Sequence, residues 1–404
     1  MPKNILLITQ TSLYPLFSGG AQAQYYFIDG LKDDFNFSLC NIVRSQEERQ
    51  AMALLQEQQP KLRIHSLDLC PPPAKKSVLS KAKSILRSRG KRSAPAEGTD
   101  DFSDNYFEHV DHAFPAEFID LINRVICEDK IDTVQFDFYD CIDIVFALPE
   151  NIRKVFIHHE VRFKRLQLAS AQSPCSEAFK RYLTEKTAAF EKSCLQYMDE
   201  VGVFNEDDKA SLAPYCKKIT LTPFAIPDAE IYGMEPDGSF NHLLFCGSEG
   251  HTPNSLGLKW FLDEIYLPQK EDVSLPVYIT GKWSEEFREP YKNEPGIIFC
   301  GIVDSLAPMF KNAVFVNPIL TGAGIRTKVL HALVNKVPVL STRFGAEGCY
   351  AEGDSGHIAF FDSADEFLDR IKNCDFSRLS ELGYEYYNRE FNKEKLLGIR
   401  RSML

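Results

Sequence analysis

The chain of 404 residues carries 46 lysines and arginines against 57 aspartates and glutamates, a net charge of −11, with 44% hydrophobic and 25% charged residues. That length holds two or three domains of about 100–200 residues, and the composition excludes wholesale disorder. The acidic balance argues against a protein built mainly to coat nucleic acid, so no nucleic-acid partner is expected. No apolar run reaches the ~18 residues of a membrane-spanning helix; the most apolar stretch, Val134 to Leu148, is broken by Asp137, Asp140 and Asp143. The opening run Ile5 to Ile8 is too short for a signal peptide, and eleven cysteines without a Cys-x-x-Cys pair fit a reducing compartment better than a disulfide framework or zinc ribbon. A soluble cytoplasmic protein is expected.

In chain order, short apolar runs alternate with helical patterns, the signature of βα units on a parallel sheet. Ile5–Thr9 reads as a buried strand, followed by Gly19-Gly20 and a helix from about Ala21 to Leu31. Further strands are expected at Phe37–Val43, Thr133–Phe136, Val155–His158 and Glu200–Phe204, with a long helix over Phe179–Tyr197 leading into the last. Residues 71–104 interrupt this pattern: Pro71-Pro72-Pro73 opens a segment with Lys75, Lys76, Lys81, Lys83, Arg87, Arg89, Lys91 and Arg92 and no acid before Glu97. Val78, Leu79, Ala82, Ile85 and Leu86 recur there at helical spacing, which fits either a basic amphipathic helix in a mobile insertion or a solvated linker. The first alternative implies peripheral contact with an anionic membrane through 75–92, at the inner face.

Two prolines at Pro223 and Pro227 mark a domain boundary, placed after residue 226. The pattern then restarts, with strands at Leu243–Cys246, Val277–Thr280, Ile297–Phe299, Ala313–Val316 and Val337–Leu340. Helices are expected at Leu256–Tyr266, whose Leu258, Phe261, Leu262 and Ile265 form one apolar face, and at Lys328–Val334. The division is therefore 1–226, 227–385 and a final helix over 386–404, and the fold class is α/β with two doubly wound domains.

The most informative segment is Gly322-Ala323-Gly324-Ile325-Arg326-Thr327-Lys328, between a strand ending at Val316 and a helix beginning near Thr327. Glycines let backbone N–H groups approach a ligand, a helix N-terminus favours an anion, and Arg326 and Lys328 add fixed positive charge. A diphosphate at the edge of a parallel sheet suits this arrangement, as does a plain tight turn carrying surface cations. The segment is neither a P-loop nor a GxGxxG fingerprint.

Over about 105 residues the second half resembles the donor-binding domain of retaining GT-B glycosyltransferases of family four, the group 1 class. The resemblance runs in order through Leu244-Phe245-Cys246-Gly247-Ser248 with Pro253-Asn254 and Trp260-Phe261-Leu262, then Val277-Tyr278-Ile279-Thr280-Gly281-Lys282. It continues through Phe299-Cys300-Gly301-Ile302-Val303-Asp304, the glycine loop up to Leu330, and Lys336-Val337-Pro338-Val339 with Gly345-Ala346-Glu347-Gly348. In the first half, Gly19-Gly20 resembles the family's N-terminal glycine loop, although such a pair before a helix is also a common turn. His158 and His159 follow a strand where the family often places a sugar-facing histidine. His159, which precedes Glu160, is favoured, with a structural histidine as the alternative.

The resemblance implies a GT-B fold with a cleft between two Rossmann-like domains. It implies transfer of a sugar from a UDP- or GDP-linked donor to a glycan or lipid-linked acceptor with retention of configuration, in surface polysaccharide synthesis, without metal or resident cofactor. His159, His158, Arg326 and Lys328 become the candidate catalytic residues. Gly19, Gly20, Gly247, Lys282, Val303, Gly322, Ala323, Gly324, Ile325, His331 and Glu347 become donor contacts. Asp137, Tyr139 and Arg162 are acceptor-side candidates, with Arg162 and Arg165 alternatively on a solvated helix. Two positions depart from the family: His331 stands where a ribose-binding glutamate is usual, and only His251 stands where a basic pair follows the first strand of the domain. Those departures keep a catalytically silent homologue open as an alternative.

Overall fold

The computed structural model describes residues 2–10, 12–16, 18–70, 113–171, 175–322, 326–350 and 356–404. The basic run within 71–104 and the loop residues Ala323, Gly324 and Ile325 lie outside them.

The first sheet contains β1 (Asn4–Ile8), β2 (Asn36–Val43), β3 (Arg63–Asp68), β4 (Thr133–Asp137), β5 (Arg153–His158), β6 (Glu200–Val203) and β7 (Ile219–Leu221). All pair in parallel, in the order β3-β2-β1-β4-β5-β6-β7. The second contains β8 (His242–Cys246), β9 (Val277–Thr280), β10 (Ile297–Gly301), β11 (Ala313–Asn317), β12 (Val339–Ser341) and β13 (Ala359–Phe360). It too is parallel, ordered β10-β9-β8-β11-β12-β13. Helices cover such sheets on both faces, so their central strands are apolar: Ile5, Leu6, Leu7 and Ile8 of β1 are all buried.

Among the described residues, the α-helices of seven residues or longer are α1 (Gly19–Leu31), α2 (Gln46–Gln58), α3 (Ala116–Glu128), α4 (Arg162–Ala171), α5 (Glu177–Leu195) and α6 (Glu206–Leu212) in the first half. In the second half they are α7 (Thr252–Trp260), α8 (Thr327–Val334), α9 (Ala364–Asn373), α10 (Phe376–Glu390) and α11 (Lys393–Met403). Helix α7 begins four residues before the expected Leu256 because Pro253 suits a first helical turn; it passes into a π-helical turn at Phe261–Tyr266. The strand expected from Val337 begins at Val339, since Lys336 takes a left-handed φ of 54° and Pro338 has no N–H for a ladder.

The winding reverses between β1 and β4 in one sheet and between β8 and β11 in the other. Ligands of doubly wound sheets bind beyond the carboxyl ends of the strands at these reversals. The chain crosses back in two pieces. Helix α10 packs on the second domain, where the Ser380 hydroxyl donates to the Lys336 carbonyl (2.6 Å). The Ile226 N–H donates to the Tyr387 hydroxyl (2.6 Å) at the hinge. After a break at Phe391 and Asn392, α11 lies on the first domain against α1, with Leu397 packed over Gly30.

Candidate functional site

On the second domain, the loops after β8 and β9 lie in backbone contact. A Cβ on Gly281 would stand 2.1 Å from the Gly247 carbonyl oxygen, and Gly281 holds a φ of +106°, so only glycine fits. The Lys282 N–H donates to the Ser248 hydroxyl (3.1 Å), which fixes the two loops against each other. The Lys282 side chain itself is exposed. Beside Gly247 stands the ammonium of Lys328: a Cβ on Gly247 would meet Nζ at 2.7 Å. Lys328 donates to Asn254 Oδ1 (2.9 Å) and lies 5.6 Å above the Phe245 ring. Burial without a carboxylate partner pushes its pKa down to about 8. Such an ammonium gains most from an incoming anion, because the anion supplies the missing opposite charge.

Arg326 immediately precedes α8, its guanidinium 4.8 Å over Phe344 and donating to the Phe344 carbonyl and to Glu347 (3.3 Å each). Burial lowers its pKa as well, with Glu347 opposing that shift. Gly322, at φ +127°, opens the same loop against Pro253. Val303 lies in the loop after β10, half-buried and in the same domain.

On the first domain, Asp137 ends β4 and His159 follows β5, with His159 Nε2 3.1 Å from Asp137 Oδ1. Between them Phe138 adopts a φ of 70°, which costs a bulky residue energy and marks a constrained turn. Its ring stacks on the His159 imidazole at 3.8 Å, and a Cβ on Gly20 would strike the same ring at 2.5 Å. Burial lowers the His159 pKa, opposed by Asp137, so the imidazole is neutral near pH 7. A neutral imidazole can bond a hydroxyl.

His158 points elsewhere. It is fully buried, 2.6 Å from Glu191 Oε1 of α5. The same carboxylate accepts from the Arg162 and Phe163 N–H groups (3.0 and 3.1 Å) and so caps α4. Arg162 lies 4.9 Å over the ring of Tyr139 and 3.5 Å from Asp140, which brings the acceptor-side candidates Arg162 and Tyr139 together one loop away from Asp137. Tyr139 is itself buried.

The two halves meet at Gly19. A Cβ there would stand 2.5 Å from Thr327 Oγ1, so the first domain's glycine loop touches the N-terminal residue of α8. His331 sits one turn further along α8 and is buried. Its Nε2 is 3.0 Å from the Glu230 carbonyl oxygen and 3.4 Å from the Glu230 carboxylate. The Tyr232 hydroxyl donates to that carboxylate (2.7 Å), and desolvation pushes His331 down to about 4. Among the described residues no group of three or more His, Cys, Asp or Glu is arranged to hold a metal ion, and no helix is long and apolar enough to cross a membrane.

Sequence reading missed Phe138, Glu191 and Glu230. Glu191 is 33 residues from His158 and carries no local signal. Phe138 could have been suspected only from Asp137-Phe138-Tyr139-Asp140 ending an apolar run.

Residues 241–374 match the model of the family described as glycosyl transferases group 1. An uncharacterized 44.6 kDa protein in the cps region of Klebsiella pneumoniae is 30% identical over 117 residues, 26% of this chain and 30% of that protein's length. Whole-chain likeness appears among solved structures. A variant of S. aureus TarM in complex with fondaparinux, alpha-GlcNAc-glycerol and UDP matches with a TM-score of 0.66 at 10% identity, over 99% of each chain. Sucrose-phosphate synthase from Thermosynechococcus elongatus matches at 0.66 and 13% identity, over 98% of this chain and 96% of its own. WaaG, a glycosyltransferase involved in lipopolysaccharide biosynthesis, matches at 0.59 and 12% identity, over 98% and 99%. By architecture the chain is therefore a GT-B fold of two parallel-sheet, Rossmann-like domains, and its second domain matches the group 1 glycosyl transferases.

Proposed function

We propose that the protein transfers a hexosyl group from a nucleotide diphosphate sugar to a glycan or lipid-linked acceptor, with retention of configuration, in polysaccharide assembly. The observation that carries this reading is the enclosed, carboxylate-free ammonium of Lys328 beside Gly247, at the end of α8 that Gly19 touches from the other domain. A diphosphate bridging the two sheet edges would meet Lys328, Arg326 and the start of α8. In the reaction the bond between the anomeric carbon and the diphosphate oxygen breaks. A bond from the acceptor oxygen forms on the same face, and the acceptor proton passes to the departing phosphate. The negative charge that grows on the leaving group is balanced by the two cations and the helix end, which act more strongly in the transition state than in the bound donor. No metal is needed for that role. His159, held by Asp137 and the Phe138 ring, bonds a sugar hydroxyl as a neutral imidazole. The match to a protein in a cps region and the UDP bound by TarM support the substrate class.

Thermal unfolding with UDP, GDP, ADP and CDP, with and without magnesium, tests the reading, since a ligand of the native state alone raises the melting temperature. One nucleotide is expected to stabilise the protein independently of magnesium, and Arg326→Ala with Lys328→Ala to abolish the shift. No shift with any nucleotide would reassign the protein as a silent GT-B homologue that binds a partner or glycan.

A further inference from the structure

The segment that enters the second domain is fastened to α8 through Glu230 and Tyr232. Asn335 Oδ1 accepts from the Tyr232 N–H (2.7 Å), and the Asn335 amide donates to the Glu230 carbonyl (2.9 Å). His331 Nε2 lies 3.0 Å from the same carbonyl and 3.4 Å from Glu230 Oε2. Both of those groups accept, so Nε2 carries the proton and His331 is the donor. The Tyr232 hydroxyl donates to Oε2 as well (2.7 Å). Three side chains thus fix where the Glu230 carboxylate stands.

Those contacts use Oε2 and the backbone. Oε1 has no hydrogen-bond partner among the described residues, and no lysine or arginine among them pairs with the carboxylate. The Glu230 side chain is 22% exposed, whereas that of His331 is 5% exposed with its donor already committed. Burial raises the Glu230 carboxyl above its usual range, opposed by the Tyr232 hydroxyl. An oxygen of this kind can only accept, and an incoming O–H or N–H completes it.

Position along α8 selects the incoming group. Lys328 and His331 stand three residues apart, so their side chains are neighbours on one helix face, about 5–6 Å between Cβ atoms. A diphosphate on Lys328 carries its ribose directly on the first phosphate. A nucleoside that follows α8 for one turn therefore brings its 2′- and 3′-hydroxyls to Glu230 before its base. We propose that Glu230 binds the ribose hydroxyl pair of the nucleotide and selects ribonucleotide over deoxyribonucleotide, with His331 as the positioning residue that holds it. The proposal rests on the reading of Lys328 as the phosphate site. His331 then serves through Glu230 and not by touching the ligand.

Calorimetric titration of the full chain with UDP, GDP, ADP and CDP, and with each 2′-deoxy counterpart, tests this; inorganic pyrophosphate probes the phosphate site alone. Wild type is expected to bind the preferred ribonucleotide about tenfold tighter than its deoxy form, the size of one hydrogen bond to a charged group. Glu230→Ala brings that ratio near one, while Glu230→Gln and His331→Gln lower it part-way. Pyrophosphate affinity stays unchanged in all three, which loss of the scaffold would not allow. Equal affinity of wild type for the two sugar forms overturns the proposal and leaves the phosphate site standing. A ratio that survives in Glu230→Ala overturns it too, and if that variant fails to fold, an undiminished ratio in Glu230→Gln does the same. Loss in Glu230→Ala of affinity for one base, in both sugar forms alike, would assign the carboxylate to the base and overturn the ribose assignment. No binding of pyrophosphate or of any nucleotide removes the phosphate reading itself, and this proposal with it.

Discussion

At the residue scale, Lys328 makes the sharpest prediction. Its ammonium, enclosed against Gly247, Asn254 and Phe245, titrates at about 8 instead of the ordinary 10.5. Because the folded pKa lies below the unfolded one, the unfolded chain binds the extra proton between about 8 and 10.5. The stability of the unliganded protein should therefore rise with pH through that window. Anion binding has the opposite dependence, since it needs the charged form. Nucleotide affinity measured by calorimetry is expected to fall above pH 8, and Lys328→Met to lose both the affinity and its pH dependence. Gly281 makes a purely steric prediction. Alanine there combines a disallowed φ with a backbone clash, so Gly281→Ala should cost about 3 kcal/mol or more, read from the urea midpoint. Lys328 and Gly281 were both legible in the sequence, because a cation at a helix start and a glycine after a strand are local signals. The roles of His158 and His159 were not separable that way. Their difference lies in Glu191 and Asp137, each more than twenty residues distant.

At the element scale, α8 carries two kinds of chemistry one turn apart. Its first residues hold Arg326, Thr327 and Lys328 toward the domain contact, while His331 turns into an apolar pocket with Tyr232 and Phe310 and faces Glu230. Burial keeps His331 neutral, with a folded pKa near 4 against an ordinary 6.5. The unfolded chain takes up the proton first as pH falls, so this contribution to stability is complete above about 6.5 and is lost toward pH 4. Denaturant midpoints across that range are expected to flatten in His331→Gln. The strands with long apolar runs, such as β1, β4 and β5, were readable from the sequence because they are buried on both faces. The edge strands β3 and β7 were not: with exposed or half-exposed residues throughout, they lack both an apolar run and a clean alternation. The crossing helix expected over 386–404 divides into α10 and α11, because Asn392 caps a new helix by accepting from the Lys395 N–H (3.0 Å).

At the scale of the whole molecule, the domains share one hydrophobic cluster. It runs from Tyr26, Phe27 and Leu31 of α1 through Phe224 and Ile226 at the hinge to Leu330 and Leu333 of α8, with Tyr387 and Leu397 from the crossing helices. The GT-B architecture was legible from the order of five motifs, whereas this shared core was not, since its members are scattered along the chain. Leu397 presses on Gly30 with both methyl groups, so Leu397→Ala should cost about 2–5 kcal/mol by equilibrium unfolding. The exposed ion pair of Arg401 with Asp34 should contribute at most about 1 kcal/mol.

The placement of α11 also sets an order of events during synthesis. The last strand of the first sheet is complete at Leu221, but the helix that covers α1 begins about 170 residues later, a delay of roughly 10–30 s at ribosomal speed. For that interval the nascent first domain displays Phe27, Gly30 and Leu31 to the surroundings without their cover. The first domain therefore becomes a finished body only when the second domain has been made and hands back the helix.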